Sequence, residues 1–475
     1  MVDEEDVHQI KPLPNLDYKV VVGNSLLGVE KNLFNAELFR RLEELKPKYF
    51  DETSSDKKHG YRREIDQIIH QLTNGNEAFD FEIYFSEIFR LGKRGFDVVI
   101  GNPPYGAELE ASEKRLLDAQ FPGLGSANKN SAIYFIFRTA TILRAAGTNA
   151  FIVPKSVCYS LGWSKCAGSL LPTLRTLIDT GTAFESVRLE QVAYVRGGCQ
   201  AAPFFVNGTF DGDAVHEFAE IPKATFERHR VLLAGQAPPE VGLILRLLEK
   251  FPKRVSDYVS IERGLNWQSL ATTFPGETPI HRGAQLSKYH LGPASDFIQL
   301  KRFDERAYAY QLAPKILNQL AVAHVKNPHP HFLLQATLDA NSSLVFETIS
   351  CTFARADWLD LKFFLAINNS KLFAWILYKF VFSNAIRSTR YDEQYAGRVP
   401  LPDLAGCDQR PLAALAGAAL EAKRADPDAD TSALEREIDQ LVYQLYGLTP
   451  EEIAIVEGSA PPPAIGKKRA RGRGQ

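Results

Sequence analysis

Four consecutive residues, Asn102-Pro103-Pro104-Tyr105, combine an amide, two rigid imino acids and an aromatic ring. Prolines fix φ and lack N–H groups, so a loop built on them cannot join a ladder and keeps its carbonyls free to accept hydrogen bonds. The Asn side-chain oxygen and a held proline carbonyl then make two acceptors aimed at one place, which suits the two N–H bonds of an exocyclic amine. A tyrosine face can stack on the ring that carries the amine. This is the chemistry of a pocket for adenine, cytosine or an amide. The plainer alternative is a two-proline turn with Asn as a turn former and Tyr as a half-buried ring.

The element that must position these residues is the run just before them, Phe96-Asp97-Val98-Val99-Ile100-Gly101. Val98 to Ile100 is β-branched and continuously apolar, which predicts a strand buried on both faces of a parallel sheet and ending at Gly101. Loops at the carboxyl ends of such strands are where open α/β sheets bind ligands. With this strand, Gly101 and the Asn-Pro-Pro-Tyr loop, the chain resembles the amino-group DNA methyltransferases, specifically the adenine-N6 methylases of type IIG restriction-modification systems. The resemblance implies a site-specific DNA adenine methyltransferase in which Asn102, Pro103, Pro104 and Tyr105 hold a flipped adenine of double-stranded DNA. S-adenosylmethionine is the methyl donor it implies.

Earlier in the chain, Tyr18 to Leu27 predicts another strand, ended by Gly23 and Asn24. By resemblance Asn24 touches the adenine of the cofactor; the alternative is an Asn that caps the next turn. Leu33, Leu38, Leu42 and Leu45, then Ile65, Ile68, Ile69 and Leu72, have helical spacing. Phe79 to Phe85 alternates apolar and acidic residues, an antiparallel or edge-strand pattern. Gly106 to Asn130 has the length of a flap. Ser131 to Ala146 follows helical period, and Ala150 to Pro154 reads as the next buried strand. In the family an aromatic of that helix lies near the cofactor, a pattern matched by Tyr134 and Phe137, although either fits an ordinary core position. Val187 to Asn207 reads as a hairpin through Gly197-Gly198.

From about residue 240 the alternation of strands and helices gives way to short strands, turns and scattered aromatics. Here the resemblance is to a target-recognition domain, which implies DNA contacts from Arg263, Asn266, Arg282, Lys288 and Lys315, with Arg387, Arg390 and Tyr391 after them meeting phosphate. Taken singly, each basic residue fits a solvated face. Leu365 to Tyr378, with Asn368-Asn369-Ser370, reads as the helix that closes the module. Val399-Pro400-Leu401-Pro402 marks a boundary, followed by two helices, a stop at Gly447 and a further turn capped by Thr449. The expected fold is α/β: an incomplete Rossmann-like methyltransferase sheet over 1–235, a mixed α+β recognition domain over 236–402, C-terminal helices over 403–457 and a basic tail over 458–475.

The chain has 475 residues, 45% of them hydrophobic, enough for two or three cores. A net charge of −2 does not advertise nucleic-acid binding, but one basic cleft suffices and the total averages it away. The tail Lys467 to Gln475 adds nonspecific phosphate attraction or merely solubility. No apolar run reaches membrane-span length, and five scattered cysteines give neither a disulfide framework nor a zinc site, which predicts a reducing cytoplasm. Two strands and a glycine-rich cofactor loop that precede Tyr18 in the family have no counterpart here, and its nuclease domain has none either. The resemblance therefore leaves three expectations: completion by a second polypeptide that carries the donor loop, a truncated remnant, or a DNA-binding subunit without catalysis.

Overall fold

The computed structural model describes residues 18–29, 34–75, 78–89, 94–106, 109–122, 130–184, 189–198, 202–274, 277–387 and 389–459. The basic tail and the start of the chain lie outside them. The chain is mixed α/β and divides into two compact units, residues 1–153 with 195–201 and residues 154–194 with 202–475. No helix among the described residues is long and apolar enough to cross a membrane.

In the first unit, helices α1 (Ala36–Asp51) and α2 (Ser55–Leu72) face each other through the predicted stripe of α2 and, on α1, through Leu42 and Leu45 of the predicted one; Leu38 lies at its edge and Leu33 lies outside the described residues. Phe39, Leu42, Leu45 and Tyr49 meet Ile65, Ile68, Ile69 and Leu72 in one core cluster. Strand β1 (Phe96–Gly101) is followed by α3 (Ala111–Gln120), which occupies the middle of the expected flap, by α4 (Ser131–Ile142) and by β2 (Leu143–Pro154). β1 and β2 pair in parallel, with Ile100 beside Ala150 and Gly101 beside Phe151. Fully buried Asn149 stitches the pair from the side, donating to the Val99 carbonyl at 3.1 Å while accepting from Arg196 Nε at 3.2 Å.

Three expectations are corrected here. Tyr18 to Leu27 forms bends and turns rather than a strand, with Val20 77% and Val22 97% exposed. β1 is an edge strand and not a sandwiched one: Val98 is 54% and Ile100 77% exposed. The cause is common to both, since β-branched runs become buried strands only where a neighbour takes up their backbone groups and covers their side chains. Phe79 to Phe85 holds a short helix, Phe81–Tyr84, because Asp80 Oδ1 accepts the Glu82 N–H at 2.7 Å as an N-cap. Its apolar residues pack as rings, with Phe81 and Phe85 each edge-on to Phe96.

In the second unit, β3 (Leu174–Gly181) pairs in parallel with β5 (Phe204–Phe210), and β5 pairs antiparallel with β6 (Val215–Pro222). The hairpin expected across Gly197-Gly198, after β4 (Gln191–Gly197), lies one strand later, between β5 and β6. Both edges of β5 are taken, and the Asp211 carboxylate closes the β5–β6 turn by accepting from Asp213 N and Ala214 N, each at 2.9 Å. After α5 (Pro238–Lys250), four strands, β7 (Val259–Arg263), β8 (Lys315–Gln319), β9 (Ala336–Asp339) and β10 (Ile349–Ala354), form an antiparallel sheet in the order β9-β8-β10-β7.

The closing helix is two, α6 (Leu361–Asn368) and α7 (Lys371–Ile376), because Ser370 breaks the run and caps α7 through Phe373 N. Asn368 donates to Asn318 Oδ1 on β8 at 2.8 Å and accepts from the Tyr391 hydroxyl, and Asn318 donates to Thr352 on β10 at 2.9 Å. This buried network registers helix, sheet and the segment after Thr389. Helices α8 (Arg410–Ala425), α9 (Ser432–Tyr446) and α10 (Pro450–Val456) follow, with Gly447 at φ +62° and Thr449 in a capping box, both as expected.

One pH effect follows from α9. Buried Asp439 accepts from Lys371 N at 2.8 Å, yet burial outweighs that bond and pushes its carboxyl up to about 6. The folded state then holds the proton more tightly than the unfolded chain. The associated stability is full below pH ~4 and is lost as the pH rises towards ~6. Urea midpoints between pH 4 and 7 are expected to fall over that window in the native protein, and the Asp439→Asn variant is expected to show a flatter profile.

Candidate active site and nucleic-acid interface

The Asn-Pro-Pro-Tyr loop leaves β1 at Gly101, where an added Cβ would lie 3.0 Å from the Phe151 ring. Pro103 is buried, Tyr105 is half-buried, and Asn102 and Pro104 are exposed. The Ser131 hydroxyl donates to the Pro104 carbonyl and pins the loop to the first turn of α4, itself capped by Asn130 accepting from Ala132 N at 3.0 Å. Asn102, Pro103 and Pro104 line a cavity of about 610 Å³ together with Phe135 and Arg138 of α4. Desolvation raises the Tyr105 phenol above its ordinary pKa, so the ring stays neutral.

The two expected cofactor residues sit elsewhere in the same unit. Asn24 closes its own turn, accepting from Leu26 N at 3.1 Å and donating to Glu113 at 3.3 Å. Phe137 packs against Phe121, with ring centroids 6.3 Å apart. Neither is among the cavity's lining residues; the aromatic of α4 that faces the cavity is Phe135. Tyr134 is buried and donates to Asp118 at 3.1 Å. The signal was present in the spacing: Phe135, Arg138 and Ile142 are three and four residues apart and share one helix face. Among the described residues Arg138 Nε is buried without a hydrogen-bond partner, while Nη2 lies 3.4 Å from Asp80.

The seven basic and amide residues expected to contact DNA divide cleanly in the second unit. Lys315 is fully buried, 2.6 Å from Asp339 and bonded to the Gln311 carbonyl, so its assignment to DNA gives way to a core ion pair. Arg282 grips Asp296 with both branches of its fork at 2.8 and 2.7 Å and lies over the Phe346 ring. Lys288 is bridged to Glu435. These three cations are already committed within the molecule. Arg263, Asn266, Arg387 and Arg390 are exposed, and Arg263 and Arg390 line one cavity. Tyr391, expected beside them at phosphate, is buried and donates its hydroxyl to Asn368, so it belongs to the core instead. The Arg387 segment is held by a residue that sequence spacing did not single out: Glu190 accepts from Ile386 N at 2.8 Å and from Arg387 N at 3.2 Å.

Residues 24–182, which include β1, the loop, α4 and β2, match the family model of the Eco57I restriction-modification methylase. No curated protein matches the sequence. Among solved structures, the type IIL restriction-modification enzyme MmeI in complex with DNA aligns with a TM-score of 0.53 at 10% identity, over 83% of this chain and 63% of that one. The type IIG restriction endonuclease BpuSI aligns at 0.31 and 10% identity, over 76% of this chain and 53% of that one. The type I methyltransferase subunit from Streptococcus thermophilus aligns at 0.22 and 17% identity, over 28% of this chain and 30% of that one. The MmeI alignment establishes a shared fold, and this chain spans under two thirds of that enzyme's length.

Proposed function

We propose that the protein acts in site-specific methylation of adenine N6 in double-stranded DNA, as part of a restriction-modification system. The observation that carries this reading is the loop at the carboxyl end of a parallel strand, whose Asn102, Pro103 and Pro104 line a 610 Å³ cavity with Tyr105 next in the chain. An adenine leaves the duplex at a cost of a few kcal/mol and stacks on Tyr105. Its two N6–H bonds point at Asn102 Oδ1 and the Pro103 carbonyl. Those acceptors draw the nitrogen towards tetrahedral geometry and free its lone pair, and the surplus proton passes to solvent after transfer. Exposed Arg263, Asn266, Arg387 and Arg390, in the recognition region over 236–402, anchor the duplex.

The cavity fits S-adenosylmethionine in two respects: apolar aromatic surface at Phe135, and a buried guanidinium N–H of Arg138 that lacks an acceptor among the described residues. Bound there, the cofactor supplies an electrophilic methyl group. Phe135 would pack against it and Arg138 would meet its carboxylate. Phe135→Ala is expected to weaken S-adenosylmethionine binding about tenfold or more, the scale of one lost aromatic contact, and Phe137→Ala to weaken it less. Calorimetric titration of both variants checks the order.

A second reading is favoured by the exposed edge of β1 and the exposed Val20 and Val22. In it the chain is a DNA-binding subunit whose donor side comes from another polypeptide that carries the glycine-rich loop. Titration of the folded native chain with S-adenosylmethionine separates the two. Micromolar binding supports self-sufficient transfer, and no binding supports the second reading.

A further inference from the structure

The geometry points to a reader of one G·C base pair in the cavity that holds Arg263, Glu347 and Arg390. The inference rests on the DNA-binding reading above and gives it a chemical identity at one position. The cavity, about 440 Å³, is walled by those three residues with Thr348, Thr389 and the chain from Leu320 to Val322. Main-chain bonds stitch its walls together: Glu347 N to Leu265 O at 3.0 Å, Leu320 N to Thr348 O at 3.0 Å and Tyr391 N to Leu320 O at 2.8 Å. Behind them, Ser350 donates to the Tyr391 carbonyl at 2.6 Å, and the Tyr391 hydroxyl enters the Asn368 network. The backbone carrying the three side chains is thus fixed before any ligand arrives.

The three side chains are charged and open to a ligand. Among the described residues none of them forms a close ion pair or a side-chain hydrogen bond, in contrast with Arg282, Lys288 and Lys315, although Arg263 and Arg390 both act electrostatically on the half-buried Asp392 carboxylate behind them. Glu347 is the discriminating residue. A surface that only holds phosphate has no use for a carboxylate among its arginines, because the carboxylate repels the backbone it should attract. In the major groove the same set is complementary to a base pair. An arginine fork matches guanine O6 and N7, and a carboxylate accepts from the cytosine N4 amine. An A·T pair calls instead for an Asn or Gln amide on adenine, and the lining offers neither. Arg263 and Glu347 lie on segments bonded directly to each other, so Arg263 takes the guanine and Glu347 the cytosine. Arg390, on the facing segment, takes a phosphate.

The test is binding selection of the full chain on a randomised duplex library, followed by affinities for the winning sequence at several salt concentrations. The native chain is expected to enrich a motif with a fixed G·C pair. Glu347→Ala and Arg263→Ala are each expected to relax that same pair by roughly 10- to 100-fold in preference, leaving the rest of the motif intact. Arg390→Ala is expected to weaken all sequences alike and to reduce the salt slope by about 1. An unchanged motif in Glu347→Ala, or a uniform gain in affinity for every sequence, overturns the inference while leaving DNA binding in place. A native chain that binds no duplex overturns both. All three side chains are exposed or partly so, and thermal melting of each variant checks that the fold survives.

Discussion

Asn102→Ala is expected to lower methyl transfer to adenine by about 10²–10³-fold, the scale seen when one preorganised hydrogen-bonding group is removed from a reacting centre. Duplex affinity is expected to stay unchanged. The separation follows from position: Asn102 is exposed at the end of β1 in the first unit, whereas the uncommitted arginines lie in the second. The side chain supports no described core contact, so its removal costs little stability. Asn102→Asp keeps an acceptor but adds a charge, and is expected to retain more activity than alanine. Single-turnover transfer rates, with duplex binding measured in parallel on the same preparations, check both statements.

Lys315→Ala is expected to destabilise the second unit by about 3–5 kcal/mol, because Asp339 is left as a buried charge without its partner. The pair is deep, with side-chain exposures of 0% and 2%, and Asp339 also ties the β9 turn by accepting from Asn341 N at 3.0 Å and Ser343 N at 2.9 Å. Neither partner is replaceable alone. Replacing both at once, Lys315→Met with Asp339→Leu, is expected to recover part of the loss, since a well-packed apolar pair is often no worse than a buried ion pair. Denaturant unfolding of the single and double variants measures the coupling. A Lys315→Ala chain with native stability and weakened DNA binding would return Lys315 to the interface.

Much of the local structure was legible because local chemistry decides it. The stripes of α1 and α2, the stop at Gly447 and the cap at Thr449 follow from residues within a turn of one another. Where a long-range partner decides, local pattern misled. Val20 to Val22 has strand composition but pairs with no strand among the described residues, and alternation at Phe79 to Phe85 yields to the Asp80 cap. Site residues divide in the same way. The Asn-Pro-Pro-Tyr loop is read from consecutive residues. Whether a lysine such as Lys315 meets solvent or a buried aspartate 24 positions away depends on sheet pairing, which spacing alone does not reveal. That Phe135 and not Phe137 lines the first cavity is a matter of helix phase, and Glu347 comes to share a cavity with Arg263 and Arg390 only through bonds between segments distant in sequence.

Presentation of an adenine amine for methylation by this loop is read out by nucleoside analysis of duplex DNA incubated with the full chain and methyl-labelled S-adenosylmethionine. Label is expected in N6-methyladenine and is expected to fall sharply in Asn102→Ala. Label confined to N4-methylcytosine, or N6-methyladenine retained at native rate in Asn102→Ala, would contradict this role of the loop.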